Sequence, residues 1–232
     1  MLIETKHLTK IYKSSKHGKY VYAVKDASLS LCEGETVGLF GESGSGKTTM
    51  GLMLSGLSRP SFGDILYNGQ PIAIPYKGAV RQKIQVLFQH PETSFNPALP
   101  LQSSMNEPYQ ILGMDSSKDR LLTHLEQFGL GEEHLRRYPF ELSGGELQRA
   151  ALARILILNP RVIILDEPTS MLDVITQAQI MELLYRFQIT HGTSYLLISH
   201  NRAICEKTCS RIYNVNNGIF EEEKLIEKTA IL

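Results

Sequence analysis

No apolar run in this 232-residue chain approaches the 18 or so residues that a membrane span needs; stretches such as Val162 to Leu165 are cut short by charge. Cysteine is scarce, with Cys32, Cys205 and Cys209 alone, which excludes a secreted disulfide framework. Cys205 and Cys209 stand four apart on one predicted helix face. They have no Cys or His partner at ligand spacing, so they read as two small apolar residues facing the core. Net charge is lacking too. Lys+Arg and Asp+Glu both number 24, so no global field directs the chain to nucleic acid or to an anionic membrane. Met1-Leu2-Ile3 runs straight into Glu4 and Lys6, unlike a signal peptide. What is present is 42% apolar residues, enough for one sizeable core with a subdomain attached. These features together point to a soluble, cytosolic protein.

Two alternating runs, Leu2 to Tyr12 and Val21 to Leu31, flank a polar loop at 13–19 and predict antiparallel strands. Glu35 to Phe40 reads as a short buried strand, Asp64 to Gly69 as a strand ending in an Asn-Gly turn, and Lys83 to Gln89 as another strand. From His90 to about Pro139 the rhythm changes. Prolines at 91, 97, 100 and 108 break it and helical runs such as Leu121 to Phe128 follow, predicting a helical insertion into an α/β core. Strand and helix then alternate again: a helix over Gly145 to Leu158, a strand over Arg161 to Leu165, a helix over Val174 to Thr190, and a strand over Ser194 to Ile198. Asn216-Asn217-Gly218 marks a late hairpin.

The most informative segment is Gly41-Glu42-Ser43-Gly44-Ser45-Gly46-Lys47-Thr48, followed by Thr49. It fits the phosphate-loop pattern G-x-x-x-x-G-K-[ST] and lies between a predicted strand and a predicted helix. Glycines let the backbone wrap a polyphosphate, and the helix N-terminus adds positive potential. Lys47 is expected to reach the β- and γ-phosphates of ATP, and the Thr48 hydroxyl to ligate Mg²⁺. The strand at 161–165 delivers Asp166 and Glu167 at its C-terminal end. Asp166 is a natural partner for that Mg²⁺. Glu167, expected to point the opposite way by strand alternation, is placed to polarise a water. Ser143-Gly144-Gly145-Glu146 opens a further helix with bare backbone N–H groups and a hydroxyl. A second phosphate-binding helix start beside one nucleotide loop implies a nucleotide bound mainly by another subunit.

This ordered set resembles the ATP-binding cassette ATPases, the nucleotide-binding subunits of ABC transporters, across essentially the whole chain. The resemblance implies a P-loop NTPase core with a mixed sheet, an N-terminal antiparallel β-subdomain and an inserted α-helical subdomain. It implies one ABC ATPase domain over 1–232. The β-subdomain and start of the core occupy 1–89, the helical subdomain 90–140, and the signature helix with the remaining core 141–232. It further implies that Gln89 senses the γ-phosphate and Mg²⁺, that His200 contacts the γ-phosphate, and that Tyr12 stacks on adenine. Ser143, Gly144 and Gly145 would complete the partner's site, and Asp173 would communicate across the dimer. Three positions depart from the family pattern: Glu146 stands where Gln is usual, Met171 where a small residue is, and Asn201 where Asp is.

Residues Gln89 to Pro97, with Thr93-Ser94-Phe95-Asn96-Pro97, are similar to the ATPases of dipeptide, oligopeptide and nickel importers. Phe95 is expected to make an apolar contact with a membrane subunit. The implied partners are a second, identical or related, ATPase, two transmembrane permeases and, indirectly, an extracytoplasmic solute-binding protein, with no nucleic acid. The place would be the inner face of the plasma membrane. That group often carries a C-terminal extension, which the residues up to Leu232 give no sign of. A non-transport cassette, such as an accessory protein of phosphonate breakdown, is the alternative.

Overall fold

The computed structural model describes residues 1–13, 19–170 and 172–224. Residues 14–18 of the loop expected at 13–19, the substitution at Met171 and the reading of residues 225–232 lie outside the described residues. The chain builds two sheets. The first is antiparallel, in the order β2-β1-β5-β6, from β1 (Ile3–Lys13), β2 (Tyr20–Ala27), β5 (Phe62–Tyr67) and β6 (Gln70–Pro71), with β3 (Ser30–Leu31) also on β1. The second runs β11-β10-β4-β9-β8-β7, from β4 (Thr36–Phe40), β7 (Ile84–Leu87), β8 (Val162–Asp166), β9 (Ser194–Ser199), β10 (Arg211–Asn216) and β11 (Ile219–Lys224). Its strands are parallel except β11, which returns antiparallel on β10 through the Asn-Asn-Gly turn.

The uninterrupted apolar runs of β8 and β9 follow from burial on both faces. Val162, Ile164, Leu196 and Ile198 join the core under the antiparallel sheet and α1 (Lys47–Leu54). The alternate residues Ile163, Leu165, Tyr195 and Leu197 join the second core, which continues into the helical region. That region holds 3₁₀ turns at Pro91–Ser94 and Pro139–Glu141 around α3 (Leu101–Ile111), α4 (Lys118–Glu126) and α5 (Glu132–Leu135). The remaining helices are α2 (Gly78–Lys83), α6 (Gly144–Leu156), α7 (Val174–His191) and α8 (Arg202–Thr208). No helix among the described residues is long and apolar enough to cross a membrane.

Two expectations from the sequence change. Pro108, expected among the prolines that break the pattern ahead of the helical runs, sits inside α3. Proline there withholds an N–H from the carbonyl of Ser104, and Arg154 Nε donates to that carbonyl at 3.0 Å instead. Phe95 is not an outward contact. It is 6% exposed, packed in the core of the helical region with the Arg154 guanidinium 5.9 Å from its ring centroid. His90, Glu92, Thr93, Asn96 and Pro97 are the exposed residues of that segment. Cys205 and Cys209 are both buried free thiols, as expected, although Cys209 lies one residue past the end of α8.

Candidate functional site

Parallel strands carry their C-terminal ends to one edge of a sheet, and there an α/β fold presents its ligand-binding groups. Here β4 leads into Gly41, β7 into Gln89, β8 ends at Asp166, and β9 leads into His200. The edge opens on a cavity of about 540 Å³ lined by Ala23, Glu42–Gly44, Gly46–Thr49, Gln89, Glu167 and His200. The sequence-predicted loop, sensor and carboxylate-histidine pair thus meet in one place.

The loop owes its path to two glycines with backbone pressed against them. A Cβ at Gly41 would lie 2.2 Å from the Val215 carbonyl oxygen, and one at Gly46, where φ is +115°, 2.2 Å from that of Ala23. Lys47 is 4% exposed, and its ammonium donates to the carbonyls of Gly41 at 2.8 Å and Glu42 at 2.7 Å. Burial lowers its pKa, while the carboxylates of Glu167 and Asp166 pull the other way. The result is a desolvated cation curled over the loop where a phosphate would sit.

The Thr48 hydroxyl donates to Asp166 Oδ1 at 3.2 Å. Burial raises the Asp166 pKa, and neighbouring Glu167 adds to that rise against the Thr48 hydrogen bond and Lys47. A divalent cation would relieve this crowding of carboxylates. Among the described residues no three His, Cys, Asp or Glu side chains form a metal cage. Hydroxyl, carboxylate and amide oxygens on Thr48, Asp166 and Gln89 suit Mg²⁺, which keeps waters and shares substrate phosphates.

Glu167 lies beyond β8 with φ +48°, its N–H donating to the Ile198 carbonyl at 3.0 Å. Its direction is therefore set by a left-handed turn and not by strand alternation. Its side chain is 14% exposed and meets His200 Nδ1 at 2.9 Å.

The remaining predicted residues do not line this cavity. Ser143 caps α6: its Oγ accepts the Glu146 N–H at 3.3 Å, while Glu146 Oε2 accepts the Ser143 N–H at 2.8 Å. Gly144 and Gly145 occupy the first turn, where N–H groups have no acceptor within the helix. Asp173 caps α7, accepting from the N–H groups of Ile175 and Thr176 at 3.0 Å each. Thr176 would lie 3.0 Å from a Cβ at Gly145, so these two helix starts are neighbours. Tyr12 stands on β1, 41% exposed, with Lys10 Nζ 5.1 Å from its ring centroid.

Sequence reasoning missed the supports. Gly218, in the β10–β11 turn, donates its N–H to the Ser45 carbonyl at 2.9 Å, and its own carbonyl accepts from Lys25 N–H at 2.8 Å. The Asn-Asn-Gly signal revealed the turn, but nothing local connected it to the phosphate loop.

The ABC transporter family profile matches residues 24–170. The glutathione import ATP-binding protein GsiA of Escherichia coli (strain K12) is 44% identical over 198 residues, 83% of this chain and 32% of that protein. The chain thus spans about a third of the length of the curated relatives it matches. A dimeric structure of MJ0796, a bacterial ABC transporter cassette, has a TM-score of 0.84 and 31% identity, covering 97% of this chain and 100% of that one. A dimeric post-hydrolysis state of the same cassette bound to ADP and Pi has a TM-score of 0.83 at 30% identity, with the same coverage.

Proposed function

Because the chain belongs to the ABC transporter family, we infer that it is an ATP-hydrolysing subunit that powers import of a small peptide, nickel or a metal chelate. The observation that carries the hydrolytic part is the convergence of Lys47, Thr48, Gln89, Glu167 and His200 on one cavity. The solute class rests on the resemblance of residues 89–97 to peptide and nickel importers. The likeness to a glutathione import protein supports it, glutathione being itself a small peptide.

The reaction is phosphoryl transfer to water, which positioning and electrostatics accelerate. Loop N–H groups and the Lys47 ammonium take the β- and γ-phosphates, exchanging the Gly41 and Glu42 carbonyls for phosphate oxygens. Thr48, Asp166 and Gln89 would hold Mg²⁺, which would supply positive charge against that developing on the phosphates. Glu167 accepts the proton of the attacking water, and His200, hydrogen-bonded to it, holds that carboxylate toward the γ-phosphate. Ser143, Gly144 and Gly145 of a second cassette close the site, so two chains, identical or related, sandwich two nucleotides. The dimeric state of the solved cassettes supports that arrangement. The helical region after Gln89 transmits closure to two membrane permeases at the inner face of the plasma membrane, and a solute-binding protein feeds them from outside.

The test joins chemistry to transport. Purified Glu167→Gln protein retains ATP binding and turns over at least about 100-fold more slowly, roughly 2.7 kcal/mol in the barrier. Cells carrying it lose uptake of labelled dipeptide or nickel chelate. Parental turnover by the variant removes Glu167 from the mechanism, and normal uptake of both solutes removes the solute class.

A further inference from the structure

His134 is a buried histidine outside the phosphate cavity, and one of its neighbours is Glu146, the half-buried carboxylate that departs from the family pattern. Its ring, on α5, is 10% exposed and faces the start of α6. Nδ1 accepts the Gly131 N–H at 2.9 Å, which leaves the neutral ring's proton on Nε2. The Glu133 carboxylate also lies 3.1 Å from Nδ1, and a ring protonated at both nitrogens presents the same Nε2–H. That group is 3.2 Å from Glu146 Oε1, and Arg137 stands 4.0 Å from the same oxygen. Glu146 Oε2 meanwhile accepts the Ser143 N–H at 2.8 Å. The Ser143 amide, with smaller contributions from the Ser143 hydroxyl and His134, outweighs partial burial and lowers the Glu146 pKa, so the group is ionised at neutral pH.

This ionised carboxylate sits in the first turn of the helix whose N–H groups and Ser143 hydroxyl would meet a partner's γ-phosphate. A negative charge there stabilises the empty helix start through its dipole and opposes an incoming polyanion. A glutamine in its place would carry no such conflict. A glutamate requires an opposing donor, and the structure supplies one from the helical region.

We propose that His134 is a positioning residue for the partner's nucleotide: by holding and offsetting the Glu146 carboxylate, it fixes Ser143, Gly144 and Gly145 for phosphate contact. The proposal rests on the composite-site reading above. It also gives the helical region a direct hydrogen-bonded hold on the phosphate-facing helix, independent of Gln89.

The test measures ATP hydrolysis and own-site affinity for a fluorescent ATP analogue. The proteins are the parental chain, His134→Ala, His134→Gln and Ser143→Arg, together with His134→Ala combined with Glu146→Gln. His134→Ala lowers kcat/KM about 10-fold, the loss expected for a hydrogen bond to a charged group, and leaves own-site affinity unchanged. In the Glu146→Gln background the same His134 change costs less than about 2-fold, because there is then no carboxylate charge for His134 to offset. His134→Gln, which keeps a donor, restores most of the rate. Thermal unfolding and hydrogen exchange at the Ser143 and Glu146 amides cover a variant that folds poorly: a faster exchange confined to those amides supports the proposal, and uniform acceleration overturns it. An equal loss from His134→Ala in both backgrounds, or none in either while Ser143→Arg is inactive, overturns the role of His134 alone. Ser143→Arg at the parental rate overturns the composite site, and this proposal with it.

Discussion

At Glu167 a carboxylate-bearing residue adopts a left-handed conformation that such side chains rarely take, anchored by its N–H on the Ile198 carbonyl. The turn presents its carboxylate to His200 in the cavity that Lys47 also lines, and this position supports the role proposed for it. A structural counterpart is Glu35, just before β4. It receives Arg211 Nε at 2.7 Å and Nη2 at 3.0 Å, together with the Cys32 N–H at 2.7 Å. Burial would raise its pKa, but Arg211 and the Cys32 amide together outweigh that and hold it below the ordinary 4.5. With a folded-state value below the unfolded one, the native protein binds fewer protons. The stabilisation is complete above about pH 4.5 and is lost as pH falls through the folded value. Glu35→Gln should therefore lower stability at pH 7 by about 2 kcal/mol and flatten the acid limb of a denaturation series. An unchanged acid limb would remove this pair from the stability account.

Among the elements, α3 depends on a side chain from α6. Arg154 donates to the Ser104 carbonyl at 3.0 Å and the Ser94 carbonyl at 2.7 Å, pairs with Glu107, and lies over Phe95. One guanidinium thus compensates the proline in α3, closes the turn after Gln89, and ties both to α6. Arg154→Ala should cost about 2–3 kcal/mol, since it strands two carbonyls and removes packing from Phe95. Local hydrogen exchange should rise across 91–111 more than in the central sheet. Uniform exchange would mean that the helical region does not rely on this residue.

The same elements show what the sequence could and could not disclose. Strands β4, β8 and β9 were legible because burial on two faces demands continuous apolar residues, and the phosphate loop because its chemistry fixes glycines and a lysine at set spacing. Pro108 misled because the compensating donor lies 46 positions away at Arg154. Phe95 misled because an aromatic among polar and proline residues reads as exposed unless one knows what packs above it. The Glu146 departure was visible, but its partner His134 was not, since α5 is a four-residue helix with no periodic signal of its own.

For the whole molecule, the cavity gathers the phosphate loop, Gln89, Glu167 and His200, while the Ser143–Glu146 helix start, beside the Asp173 cap, is not part of it. On the proposed reading, a single chain offers two complementary halves of a site. The most direct measurement mixes two variants that are each inactive alone, Lys47→Ala and Ser143→Arg, and follows phosphate release. In a mixed dimer one site combines both defects and the other combines an intact loop with an intact signature. Random pairing should then restore about a quarter of the parental rate. No recovery on mixing, from a parental chain that hydrolyses ATP by itself, would contradict a site shared between two chains.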